Sequence, residues 1–308
     1  MFCVVQSATL NFMITYFQAL IIGLVQGLTE LFPISSLGHS VLVPYVFGWH
    51  NIVTSEARSE SSFLAFLVAL HVATALALLA YYWRDWVKLI SAFFSSVRDR
   101  RIRTTYERLV WLLIIATIPA GLVGLIFEKI LRTQFAKPLS ATIFLIINGC
   151  ILLAGDRFMR REARKRRDFT METTAEHTAT VITPKRAGII GVAQVLALLA
   201  GISRSGVTMV SGLYSGLDYQ DSARFSFLLA TPIILAAGIY KLPDLLGSAG
   251  NGIRGQVLVG GIATAIAAFL AVRFLDKYFR DKTLRPFGIY CIVAGCAVLL
   301  LGLARGHF

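Results

Sequence analysis

Charged side chains are scarce in this 308-residue chain, 15% of the total, and acidic ones scarcest, with 17 Asp and Glu against 30 Lys and Arg. So little charge excludes an ordinary water-soluble domain, in which about a quarter of residues are charged. Cysteine is also sparse. Cys150, Cys291 and Cys296 sit inside apolar stretches and Cys3 lies near the start; none has metal-ligand spacing. A disulfide framework or zinc module is therefore excluded, and the four are expected to be buried small hydrophobes. The first residues lack a basic segment and an A-x-A-like cleavage site, so no cleaved signal peptide is expected. Delivery then falls to the first hydrophobic segment. A ring of like charges and an open polar stripe are both missing, which argues against a bare ion channel.

What is present is apolar. Hydrophobic residues make up 56% and the mean hydropathy is +0.70. Stretches near 62–83, 109–127, 138–156, 222–241, 256–275 and 286–304 are each long enough to cross hydrocarbon as a helix. The net charge of +13 and the run Arg160-Arg161-Glu162-Ala163-Arg164-Lys165-Arg166-Arg167 invite a nucleic-acid reading. Placement argues otherwise. Basic residues concentrate in the loops 84–108, 157–186 and 273–285, while the intervening loops hold few. That alternation is the positive-inside pattern of a multi-pass membrane protein, with the basic loops beside anionic lipid. Membrane lipid is the expected partner, and nucleic acid is not.

One sequence occurs twice. Residues 21–40 read IIGLVQGLTELFPISSLGHS and residues 189–208 read IIGVAQVLALLAGISRSGVT. At one constant offset Gly23/Gly191, Gln26/Gln194, Ser35/Ser203 and Gly38/Gly206 are among the identities, while Glu30, Ser36 and His39 belong only to the first copy and Arg204 and Ser205 only to the second. Three spans separate the copies, and an odd number of crossings inverts one relative to the other. Each copy breaks at its centre, at Phe32-Pro33-Ile34-Ser35 and Ala200-Gly201-Ile202-Ser203, and the helical pieces that follow, 36–48 and 204–216, are short for a span. The expected fold is therefore an all-α polytopic membrane protein with an inverted-topology repeat. Each half is a re-entrant helical hairpin plus three transmembrane helices, and the tips meet within the bilayer around a polar site. The expected division is an extension over 1–14, a first repeat over 15–156, a basic cytoplasmic loop over 157–186 and a second repeat over 187–308.

The tips carry complementary chemistry. Ser203-Arg204-Ser205-Gly206 opens a helix whose backbone N–H groups attract anions. Arg204 adds a fork of donors for phosphate oxygens, and Ser203, Ser205 and Thr208 add hydroxyls. The opposite tip offers Ser35, Ser36 and His39, after a helix whose spacing puts Gln26 and Glu30 on one face. An anion cradle facing an acid, a hydroxyl and an imidazole is equipment for phosphoryl transfer. The bland alternatives are serines that satisfy backbone carbonyls and a Glu30–Arg204 pair that only neutralises itself. His71, inside the apolar run Leu70-His71-Val72-Ala73-Thr74, reads as packing or as support behind the site. Asn148 and Gln194 read as interhelical hydrogen-bond formers. Arg224 either lines an entrance or snorkels to the interface.

At these residues the chain resembles the undecaprenyl-diphosphate phosphatases, the bacitracin-resistance family. Two signatures carry the likeness, Gln26-Gly27-Leu28-Thr29-Glu30-Leu31-Phe32-Pro33-Ile34-Ser35-Ser36-Leu37-Gly38-His39 and Gly201-Ile202-Ser203-Arg204-Ser205-Gly206-Val207-Thr208. The stretches 112–124 and 225–232 also look like the family, and the resemblance runs from about residue 15 to the end. It implies hydrolysis of the terminal phosphate of undecaprenyl diphosphate, recycling the lipid carrier for cell-wall synthesis, with a divalent cation, Mg²⁺ or Ca²⁺. It also implies a bacterial cytoplasmic membrane and a site open to the extracytoplasmic side. By position, Glu30 would handle the metal or the proton, Ser36 or His39 would attack or relay protons, and Arg204 would hold the diphosphate. Gln26, Ser35, Ser203, Ser205, Gly206 and Thr208 complete the expected substrate contacts. The nucleophile stays open between Ser36, His39 and water, and a homodimer stays open as the assembly. Family members commonly have Glu at the place of Gln26 and Pro at the place of Ala200. The competing class is an alternating-access carrier for polyprenyl phosphates, which would need the Arg204 cradle but neither His39 nor Glu30.

Overall fold

Thr15 starts the first helix with a reciprocal cap. Its hydroxyl accepts from the Gln18 N–H at 3.2 Å, and the Gln18 side chain accepts from the Thr15 N–H at 2.9 Å. The helix, α1 (Tyr16–Leu31), stops where Pro33 forces the residue before it out of helical geometry; Phe32 is extended. A second short helix, α2 (Ser36–Val46), follows the break. This computed structural model describes residues 14–49, 52, 62–135, 137–165, 178, 180–247 and 252–306. Among the described residues the regular structure is helical throughout. The first half continues through α3 (Ser62–Tyr81), α4 (Trp83–Asp99), α5 (Thr105–Phe135) and α6 (Pro138–Lys165). The second half opens with α7 (Pro184–Val195), a 3₁₀ turn at Leu196–Leu198 and a break. It continues through α8 (Arg204–Tyr214), α9 (Tyr219–Leu246), α10 (Arg254–Asp281) and α11 (Arg285–Arg305).

Six helices are long and apolar enough to cross a membrane: Ser62–Tyr81, Thr105–Phe127, Pro138–Arg161, Tyr219–Lys241, Arg254–Asp281 and Arg285–Arg305. They match the six apolar stretches of the sequence. The basic segment 84–108 differs from expectation. Most of it is α4, which buries Leu89, Ala92 and Ser96 on one side and exposes Val87, Ile90, Phe94 and Val97 on another. Its apolar residues recur at helical spacing, but polar ones interrupt them, so no continuous apolar run shows in the sequence. The basic cluster at 157–165 extends α6, and residues 166–177 lie outside the described residues. The cysteine expectation is corrected in part. Cys291 is buried but Cys150 and Cys296 are exposed, because they fall on the outer faces of α6 and α11; Cys3 lies outside the described residues.

The halves interlock through small residues. Gly23 of α1 sits so close to Gly260 of α10 that a Cβ would overlap the Gly260 carbonyl, and Thr264 donates to the Gly23 carbonyl at 2.9 Å. The matching Gly191 of α7 presses on Ala116 of α5 in the same way, and Gln194 donates to the Ala116 carbonyl at 3.3 Å. Close backbone approach at glycine is how helices gain contact where no hydrophobic force separates protein from lipid. Each broken helix is thereby seated against the other half of the chain.

Candidate active site

The two breaks touch. A Cβ on Gly38 would lie 2.9 Å from the Gly201 Cα. Gly201 has φ +108, a conformation that side chains rarely tolerate. Ser35 caps α2 by accepting from the Gly38 N–H at 3.1 Å and also accepts from the Gly201 N–H at 3.2 Å. Ser203 caps α8 in the matching way, accepting from the Gly206 N–H at 3.1 Å. Asn148 of α6 reaches both breaks, donating to the Pro33 carbonyl at 3.0 Å and accepting from the Ser203 N–H at 3.0 Å. Backbone groups freed by the breaks are thus satisfied inside the protein. Ala200 stands at the second break, where Ile202 N–H donates to the Leu199 carbonyl at 3.0 Å.

This frame brings four elements to one carboxylate. Glu30, near the end of α1 and 6% exposed, accepts from the Ser36 hydroxyl through Oε2. The same oxygen accepts from the Gln26 amide at 3.1 Å and faces His71 Nε2 of α3 at 3.3 Å. Its other oxygen accepts from Arg204 Nη2 of α8 at 3.2 Å. Arg204 also donates to the Ser226 carbonyl at 3.2 Å, while its buried Nε has no hydrogen-bond partner. Ser36 and Arg204 occupy the same position of the repeat, each being the first residue of its helix. Glu30, Ser35, Ser36, His71, Ser203 and Arg204 line a cavity of about 370 Å³ whose remaining walls are mostly aliphatic.

The other expected site residues are placed differently. His39 does not line this cavity. Its Nδ1 faces the Ser35 carbonyl at 2.7 Å and its Nε2 the Tyr290 hydroxyl at 2.9 Å, so both nitrogens are already engaged. Ser205 lies against the Ser203 hydroxyl at 3.0 Å and the Phe32 carbonyl at 3.3 Å, and Thr208 against the Ser226 hydroxyl at 2.7 Å. Gly206 packs on Ser203, Leu152 and Asn148. Gln26 is fully buried behind Glu30. Asn148 and Gln194 do form the interhelical bonds expected of them. Arg224 does not line the cavity; it donates to both oxygens of Asp85 at 2.9 Å. The residue sequence reasoning undervalued is His71. A histidine in an apolar span was the available signal, but nothing in the spacing connects α3 to Glu30.

Mg²⁺ and Ca²⁺ take several oxygen ligands, usually including one or two carboxylates with open lone pairs. Among the described residues Glu30 is the one carboxylate lining the cavity, and both its oxygens face donors. Among the described residues no group of three or more His, Cys, Asp and Glu comes together. The residues present do not fit a cation held by the protein alone.

The family model described as "Bacitracin resistance protein BacA" matches residues 19–297. A Mycolicibacterium paratuberculosis protein named "Undecaprenyl-diphosphatase" is 51% identical over 297 residues, covering 93% of this chain and 97% of its own. Proteins named "Undecaprenyl-diphosphatase 2" from Frankia alni and Chromobacterium violaceum are 48% and 44% identical, covering 92% and 93% of this chain and 96% and 98% of theirs. With the match running through both breaks and five spans into the sixth, the chain belongs to the bacitracin resistance protein BacA family.

Proposed function

We propose that this chain is an integral-membrane hydrolase that cleaves undecaprenyl diphosphate to undecaprenyl phosphate and inorganic phosphate, regenerating the lipid carrier for cell-wall polymers. The observation that carries this is the Ser36 hydroxyl donating to Glu30 at the wall of a cavity that also presents Arg204. The names of relatives at about half identity support the same substrate.

In this reading the diphosphate enters the cavity and takes over the donors of Arg204, among them the unpartnered Nε. The N-terminus of α8 adds its partial positive charge. Glu30, relieved of part of its pairing, accepts the Ser36 proton, and Ser36 Oγ attacks the terminal phosphorus. The bond from phosphorus to the bridging oxygen breaks and undecaprenyl phosphate leaves, taking that proton from Glu30. Water then attacks the phosphoserine and gives up a proton to Glu30, inorganic phosphate departs, and the proton returns to Ser36. Positioning and charge neutralisation supply most of the rate, as in phosphoryl transfer generally. His39 keeps the Ser35 carbonyl and the start of α2 in place instead of serving as the base.

The architecture that suits this chemistry is a pair of re-entrant hairpins, α1–α2 and α7–α8, in inverted orientation within the bacterial cytoplasmic membrane. The repeat, the three spans between its copies and the basic segments support it. The exposed apolar stripe of α4 would lie in the cytoplasmic interface, and the cavity would open to the extracytoplasmic side. Rapid quench with labelled substrate, followed by peptide mapping, tests the chemistry. Phosphate on Ser36 is expected; phosphate on His39, or none at any quench time, would overturn the assigned nucleophile. A folded wild type that binds the lipid and releases no phosphate would favour a carrier.

A further inference from the structure

We propose that His71 is a positioning residue of this reaction, holding the Glu30 carboxylate where it can accept the Ser36 proton. The proposal rests on Ser36 and Glu30 acting as described above. Its ground is the way the imidazole is anchored at both ends. Nδ1 faces the Leu67 carbonyl one turn back on α3 at 2.8 Å. A carbonyl only accepts, so Nδ1 carries a hydrogen and the ring plane is fixed. Nε2 then points at Glu30 Oε2, the oxygen that receives the Ser36 hydroxyl, and donates to it as the imidazolium, whose two nitrogens both carry hydrogen.

The other contacts of Glu30 cannot do this work during turnover. Arg204 is drawn to the phosphate, so its hold on Oε1 weakens when substrate binds. Gln26 lies on the same helix as Glu30 and moves with it. His71 is the contact that reaches Glu30 from a separate span, and its side chain, 26% exposed, lines the cavity beside Ser36 and Arg204. It also takes up the side of Glu30 that a protein-held cation would need, in keeping with the poor fit of this donor set to such a cation. The contrast with His39 is direct. One histidine sits in the signature but is turned into the packing, and the other lies outside it yet faces the reacting groups.

Two amides separate positioning from packing. In His71→Gln the amide nitrogen reaches about as far as Nε2 and keeps a donor on Glu30. In His71→Asn it stands near Nδ1, keeping the Leu67 contact while releasing Glu30. Initial rates of phosphate release from a polyprenyl diphosphate would be measured for both variants and wild type, purified as full chains in detergent. Loss of a supporting contact behind a catalytic group commonly costs about 10- to 100-fold. His71→Asn is therefore expected to lower kcat by about 30-fold or more with KM within about threefold, and His71→Gln to recover about tenfold of that loss. Equal kcat for the two variants, or a loss carried by KM alone, would overturn the proposal. A wild type that releases no phosphate would overturn the underlying reading instead, which keeps the two failures apart.

Discussion

The two broken helices share residues at one constant offset and are unlike in chemistry. Residues shared by both copies, Ser35/Ser203, Gly38/Gly206 and Gly23/Gly191, cap the short helices or seat the long ones against the opposite half. Residues that differ carry the proposed chemistry: Ser36 stands where the other copy has Arg204, and Glu30 where it has Leu198. The frame brings two helix N-termini together, with a hydroxyl at the start of one and a cation at the start of the other. In the proposed mechanism, identity between copies marks scaffold and difference marks function.

The comparison breaks most sharply at the differing residues. Arg204→Ala and Glu30→Ala are each expected to lower kcat/KM for the polyprenyl diphosphate by about a thousandfold, the cost of losing a group aimed at developing charge. Thermal unfolding should show both variants folded. Ser36→Ala should remove phosphate from the quenched protein altogether, whereas Ser35→Ala should leave it on Ser36. Next come the glycines at the contact between the breaks. Gly201→Ala must place a Cβ at φ +108 and against the Ala141 carbonyl. A loss of about 2 kcal/mol or more in detergent unfolding is expected, since backbone strain adds to overlap. The smallest effects belong to the caps. Ser203→Ala is expected to cost about 1 kcal/mol of stability while retaining most of the turnover. If its activity instead fell as far as that of Arg204→Ala, the split between scaffold and chemistry would be wrong.

Much of this was legible in the residues because the medium simplifies the problem. Six apolar runs must become helices, since hydrocarbon leaves the backbone no other partner, and all six appear. The breaks were legible at Pro33 and at Gly201. The cluster of Glu30, Ser36 and Arg204 followed from asking what a polar turn buried at mid-membrane could hold. What sequence could not supply was rotation. Whether a side chain on α2 points into the cavity or into α11 depends on a fraction of a turn, and His39 falls on the Tyr290 side. His71 comes to Glu30 only because α3 packs beside α1, a tertiary fact with no local signature. The amphipathic α4 was hidden by its polar half, which breaks the apolar run that marks a span.

The central claim is that the acid and hydroxyl of one break and the cation of the other form a single catalytic site. The most direct test compares phosphate release from undecaprenyl diphosphate by purified wild type and by Arg204→Ala, each under saturating substrate. Release by wild type, cut by about a thousandfold in the variant, is the predicted result. Undiminished release by a folded Arg204→Ala protein would contradict it, and would confine the chemistry to the first break alone.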